Sequence, residues 1–163
     1  MRDYQKYAIT VALFAGALYV ALIVASFGMI SLFTNLDVID DPAAGPLLGP
    51  SMVAAAAVLV LAAMVLLGIR IRPERQRVAV GNSLATGLAA SGVFSIGGGI
   101  IYAVGNGQLS SVVTFAASML LGPFAAATGV LAFIVTLIYS WMLAAHVGEG
   151  GRPLWPWERR GDE

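Results

Sequence analysis

The sequence predicts an all-α fold: a polytopic membrane four-helix bundle of two helical hairpins, with a short extra helix at the outer interface. Three observations carry that prediction. Hydrophobic residues make up 59% of the 163-residue chain and charged residues only 11%, whereas a soluble domain carries roughly 25% charged residues. The apolar residues gather in runs long enough to cross a hydrocarbon core about 30 Å thick, which takes about 20 residues of helix. All nine basic residues then fall on one side of the topology that those runs define. The mean hydropathy, +0.86, agrees. Such a composition argues against a soluble enzyme, a disordered chain and a nucleic-acid binder.

The first helix is expected over 7–33. A short charged segment, Met1 to Lys6, precedes this uncharged run of 27 residues. A secretory signal has an apolar region of only about 7–15 residues and a small-x-small cleavage site. Val24-Ala25-Ser26 is a poor match, so the segment reads as a retained transmembrane helix. The second helix is expected over 50–71, closed by Pro73 in the link that follows, and the third over 78–104.

Residues 109–147 include no Asp, Glu, Lys or Arg. At 1.5 Å per residue one helix of that length would reach nearly 60 Å, which is too long for one crossing. Gly122-Pro123 supplies the break, because proline disrupts a helix interior but suits its first position. The fourth crossing is therefore expected over 123–147, and 109–121 becomes a short helix at the outer interface. The rival reading is a single kinked helix from near Val112. Leu47-Leu48-Gly49-Pro50 recurs as Leu120-Leu121-Gly122-Pro123, and the same offset carries Tyr7 onto Val80. That is either a duplicated hairpin or chance in a Leu-, Gly- and Ala-rich chain. Residues 1–147 make the transmembrane domain and 148–163 a cytoplasmic tail.

Orientation comes from charge. Arg2 and Lys6 precede helix one, Arg70, Arg72, Arg75 and Arg77 fill the link between helices two and three, and Arg152, Arg159 and Arg160 lie in the tail. The opposite loops, 34–49 and 105–108, hold no basic residue, and the first carries Asp37, Asp40 and Asp41. The positive-inside rule places both termini and the middle link in the cytoplasm of a multi-pass protein of the cell membrane. Tyr4, Tyr7, Tyr139 and Trp141 are expected at the inner headgroup level and Tyr102 at the outer one. Tyr19, near mid-membrane, needs an acceptor and should face the bundle.

Helix three carries a ribbon of small residues: Ser83, Gly87, Ser91, Ser95, Gly99 and Ala103 recur every four positions. In lipid, small residues let backbones approach closely, so the plain reading is helix packing. The functional reading makes the ribbon, with Asn82 and Gly97-Gly98-Gly99, the wall of a polar path. That reading uses unwound glycine backbone to present carbonyls to an ion. Asn82, flanked by Ser83 and Thr86, is expected to be buried near the inner end of helix three, bonded to a neighbouring helix.

Sets that would carry catalysis are missing. There is no cysteine, which removes disulfides, thiolate ligands and Cys nucleophiles. The four crossings hold no Asp, Glu, Lys or Arg in their cores, where such residues would mark proton relays. The only histidine, His146, sits at the cytoplasmic end of helix four and reads as an interfacial residue. Asp37, Asp40 and Asp41 read as a solvated outward turn at Asp41-Pro42, lacking the spacing of a Ca²⁺ loop. No enzyme, metal site or cofactor is expected. Arg70, Arg72, Arg75 and Arg77, with Trp155 and Trp157 of the tail, are expected to meet anionic lipid headgroups on the cytoplasmic side.

Only one of the nine basic residues is Lys. With its Ala, Gly and Val content and acidic outer loop, the chain resembles small, functionally uncharacterised four-helix integral membrane proteins of halophilic archaea. The resemblance covers composition and hairpin layout and no motif, so it implies no functional residue. The expected function is that of a non-catalytic subunit, assembly factor or scaffold, contacting lipid and a second copy or a membrane-complex partner. The alternative is a small oligomeric transporter or channel using the small-residue face of helix three.

Overall fold

A computed structural model describes residues 2–39, 45–70, 78–106 and 111–147. These residues contain five helices and no strand: α1 Arg2–Thr34, α2 Leu48–Arg70, α3 Val80–Asn106, α4 Ser111–Leu120 and α5 Pro123–Val147. Four of them, α1, α2, α3 and α5, are long and apolar enough to cross a membrane.

Local chemistry explains where they start and stop. The polar residues before Tyr7 continue α1 back to Arg2 instead of fraying, which lengthens it to 33 residues, about 50 Å. At its other end Thr34 Oγ1 donates to the Ile30 carbonyl at 2.6 Å. Asn35 then takes a positive φ of 51°, the left-handed conformation that ends many helices and that asparagine tolerates. The α2 helix begins two residues before Pro50, whose missing N–H falls among the first-turn donors that have no intrahelical partner. It ends on Arg70, where a cation complements the carbonyl end of the helix dipole. Val78 and Ala79 lie outside α3: the Ala79 N–H donates to Ser140 Oγ at 3.2 Å, and Ser83 Oγ donates to the Ala79 carbonyl at 2.9 Å. The chain breaks at Leu121 and Gly122, where the Gly122 N–H turns back to the Met119 carbonyl at 3.0 Å, and α5 opens on Pro123.

Cross-helix contacts fix the directions. At one end Ala8 of α1, Gly68 of α2 and Tyr139 and Leu143 of α5 meet, with Tyr139 donating to the Ala8 carbonyl at 3.2 Å. At mid-height Tyr19 of α1 donates to the Thr128 carbonyl of α5 at 3.1 Å. At the other end Phe27 packs edge-on against Phe94 of α3 and Phe124 of α5, with ring centroids 5.7 Å and 5.1 Å away. Met52 of α2 lies against Gly98 of α3 at that same end. Consecutive long helices therefore run antiparallel. The α1 helix lies against α2 and α5, and α3 against α2, α5 and α4.

The core is a set of stripes at helical spacing. The buried face of α2 is Leu48, Met52, Ala56, Val60, Met64, Leu67 and Gly68. Outside it the bundle is apolar as well: Phe14 is 75% exposed, Leu88 68% and Val104 73%. In water such a surface would aggregate; in lipid it is solvated. Tyr19 faces the bundle as the sequence reading requires and is fully buried. Tyr139 differs: it lies at the expected end but is buried between helices, because a backbone carbonyl satisfies its hydroxyl there.

Candidate functional site

The small-residue face of α3 is occupied by the chain's own helices. A Cβ added at Gly87 would stand 2.8 Å from the Gly129 carbonyl oxygen of α5, and one at Gly129 would collide with Ser91 Oγ. Ser91 Oγ donates across the contact to the Ala125 carbonyl at 3.0 Å. Toward the far end a Cβ at Gly99 would stand 2.8 Å from the Val112 carbonyl oxygen of α4. Tyr102 stacks on Phe115 of α4 there, with centroids 4.6 Å apart. Ser83, Ser95 and Ala103 are buried. The missing side chains thus let two backbones touch at Gly87 and Gly129 and at Gly99 and Val112.

Gly97-Gly98-Gly99 is regular helix, not unwound backbone. Gly98 accommodates Met52 and Gly99 accommodates α4, so two of the three glycines serve contact. This removes the structural premise of a carbonyl ion site at these glycines. Asn82 also departs from expectation. It is exposed, because the face of α3 that packs on α5 runs through Ser83 and Gly87, a quarter-turn away.

The positions expected to meet headgroups are only partly described. Arg70 is exposed at the end of α2. Arg72, Arg75, Arg77, Trp155 and Trp157 lie outside the described residues, as do Asp40 and Asp41. Asp37 is exposed beyond the opposite end of the bundle from Arg70. Among the described residues no group of three or more His, Cys, Asp and Glu is placed to hold a metal. His146 stacks on Tyr7 with centroids 4.1 Å apart.

Two grooves matter on the bundle surface, besides a smaller one of about 280 Å³ that runs over the α3–α5 contact along Gly87, Ser91 and Gly129. One, of about 910 Å³, lies between α1 and α2 beside residues 37–39 and 45–50 and is walled by Val24, Phe27, Val53 and Ala57, with Asp37 at its edge. The other, of about 500 Å³, lies between α2 and α3 at the basic end. Arg70 and Asn82 stand at its mouth and Thr136 of α5 at its back. Thr136 is 1% exposed, and its hydroxyl has no hydrogen-bond partner among the described residues. Sequence reasoning passed over it. The available signal was spacing: Thr128, Thr136 and Ser140 stand eight and four residues apart, a single polar face on an otherwise apolar helix.

The family model for a family of unknown function, DUF6121, matches residues 1–163, and the chain belongs to that family. No curated protein and no solved structure matches the chain.

Proposed function

We propose that this member of a family of unknown function is a multi-pass protein of the cell membrane that works as a non-catalytic helical subunit, assembly factor or scaffold. The observation that carries the reading is the close packing of other helices on the small-residue face of α3. Gly129, Ala125 and Phe133 of α5, and α4, lie against it, which supports a packing role for that face over a path for solutes. The chain threads the bilayer as two hairpins, α1–α2 and α3–α5. Its termini lie in the cytoplasm, and α4 rests at the outer interface. Two features support that orientation. Lys6 and Arg70 occur beside Ala8 and Gly68, which meet at one end of the bundle, and Asp37 stands beyond the other. Anionic lipids of the cytoplasmic leaflet face the basic end. The composition shared with small membrane proteins of halophilic archaea adds no residue to this reading.

Gentle solubilisation followed by mass measurement of the intact particle tests it. The expected result is a defined complex, with a second copy or a stoichiometric membrane partner. Reconstitution into liposomes supplies the opposing arm. Solute or ion flux that disappears on Gly87→Leu, in a variant that still inserts and elutes as wild type, would establish the path reading and overturn this one.

A further inference from the structure

We propose that the groove between α2 and α3 holds one anionic glycerophospholipid: phosphate at Arg70, ester carbonyls at Asn82 and Thr136, acyl chain along Ala85 and Ala89. The inference rests on the reading that α2 and α3 cross the bilayer with this end at the cytoplasmic leaflet, and it names the lipid partner of that reading.

The groove, at about 500 Å³, falls in the range of roughly 300–1,000 Å³ typical of small-molecule sites. Its chemistry is graded along its length. Arg70, the last residue of α2, and Asn82, in the first turn of α3, stand at the end where the chain is basic. Deeper along α3 the exposed wall is Ala85 and Ala89, whose short side chains leave room beside the helix. A phospholipid has the same order of groups: charge, then ester, then hydrocarbon.

Thr136 supplies an independent pointer. A threonine inside a helix normally returns its hydroxyl to the carbonyl four residues back. Thr86 does so to Asn82, and Thr128 to Phe124, each at 2.8 Å. Thr136 makes no such bond, although it is fully buried and lines the groove. Its donor is therefore unspent where burial makes an unspent donor costly. The register of α5 on α3 sets its depth. Ser140 meets Ala79, so Thr136, four residues further in, lies about 6 Å below that level, nearly level with Asn82, which stands three residues in along α3. Arg70, two residues beyond the Gly68 that meets Tyr139 and Leu143, stands further out, so a phosphate held there leaves its ester carbonyls inward, at the level of Asn82 and Thr136. The donors here are the Arg70 guanidinium, the Asn82 amide and the Thr136 hydroxyl, and all of them call for oxygen acceptors. Arg72, Arg75 and Arg77 follow Arg70 in the sequence, so this stretch of the chain is strongly basic.

The test is native mass spectrometry of the delipidated full chain in detergent, titrated with phosphatidylglycerol, phosphatidylcholine or inorganic phosphate. One phosphatidylglycerol per chain should bind, about tenfold more tightly than phosphatidylcholine, whose choline cation offsets the phosphate charge and is repelled by Arg70. Arg70→Gln should erase that preference. Thr136→Val, which keeps shape and removes the hydroxyl, should weaken both lipids several-fold. Ala85→Leu should fill the groove and do the same, which covers the case in which Thr136→Val does not fold. Phosphatidylglycerol binding that ignores Arg70→Gln and the folded groove variants would overturn the site. So would equal binding of the two lipids, or displacement of lipid by inorganic phosphate at matched concentration. A single cysteine at Gln76→Cys, which removes no charge, separates this from the orientation. Labelling from outside intact cells would reject the cytoplasmic placement, whereas lost lipid selectivity with labelling only after permeabilisation rejects the groove alone.

Discussion

Replacing Gly87 by alanine should destabilise the bundle, although alanine is the better helix former. The added Cβ would stand 2.8 Å from the Gly129 carbonyl oxygen and 3.1 Å from Phe133 Cβ. A carbonyl oxygen cannot swing aside as a side chain does, so α5 must move. Yet α5 is tied near that level by Ser91 to Ala125 and by Tyr19 to Thr128. Overpacking of this kind costs about 1–3 kcal/mol, and losing the Ser91 bond costs about 0.6 kcal/mol. Improved helix propensity returns up to about 1 kcal/mol. The expected net loss is about 1–2 kcal/mol. Gly97 of the same helix is the control: nothing lies within 4 Å of its added Cβ, so Gly97→Ala should be neutral or gain up to about 1 kcal/mol. Reversible unfolding of the purified chain in mixed micelles, by titration with sodium dodecyl sulfate and followed by tryptophan fluorescence, measures both. A Gly87→Ala chain as stable as wild type would refute close backbone contact between α3 and α5.

Three further outcomes follow from named contacts. Tyr19→Phe and Tyr139→Phe each remove one hydroxyl donated to a carbonyl of another helix; each should cost about 0.6 kcal/mol, with a ceiling near about 1.7 kcal/mol, in the same titration. Asn35 holds a positive φ, so Asn35→Gly should leave the thermal midpoint unchanged, while Asn35→Val should lose about 1–2 kcal/mol; equal midpoints would show that the left-handed turn is not held. The chain contains no cysteine, so single-cysteine variants report topology cleanly. Leu36→Cys should react with an impermeant maleimide on intact cells and Gln5→Cys only after permeabilisation; the reverse pattern would invert the proposed orientation.

Much of the architecture can be read along the chain, because a membrane reduces it to one-dimensional quantities. A run of apolar residues is long enough to span or it is not. Pro123 ends one helix and begins the next wherever it is packed, and α5 does open there. The small-residue ribbon is equally visible, since close approach of backbones needs short side chains whichever partner is approached. The misreadings concern direction. Asn82 reads as buried because it is the most polar residue of its segment, but it stands on the outer face. Tyr139 reads as an interfacial ring but lies inside, since only the fold brings the Ala8 carbonyl within its reach.

The number of long apolar helices, the break between the last two and the gathering of the arginines were thus fixed by local composition, since length, proline and charge act without knowledge of neighbours. Which side of each helix turns inward was settled by the packed bundle alone. These helices are apolar around their whole circumference, and lipid solvates an outward Leu88 as readily as the core accepts an inward Val60. No hydrophobic preference then distinguishes the two faces. The choice passes to shape and to the few hydroxyls, such as those of Tyr19, Ser91 and Thr136, whose partners or lack of them exist only once the helices have met.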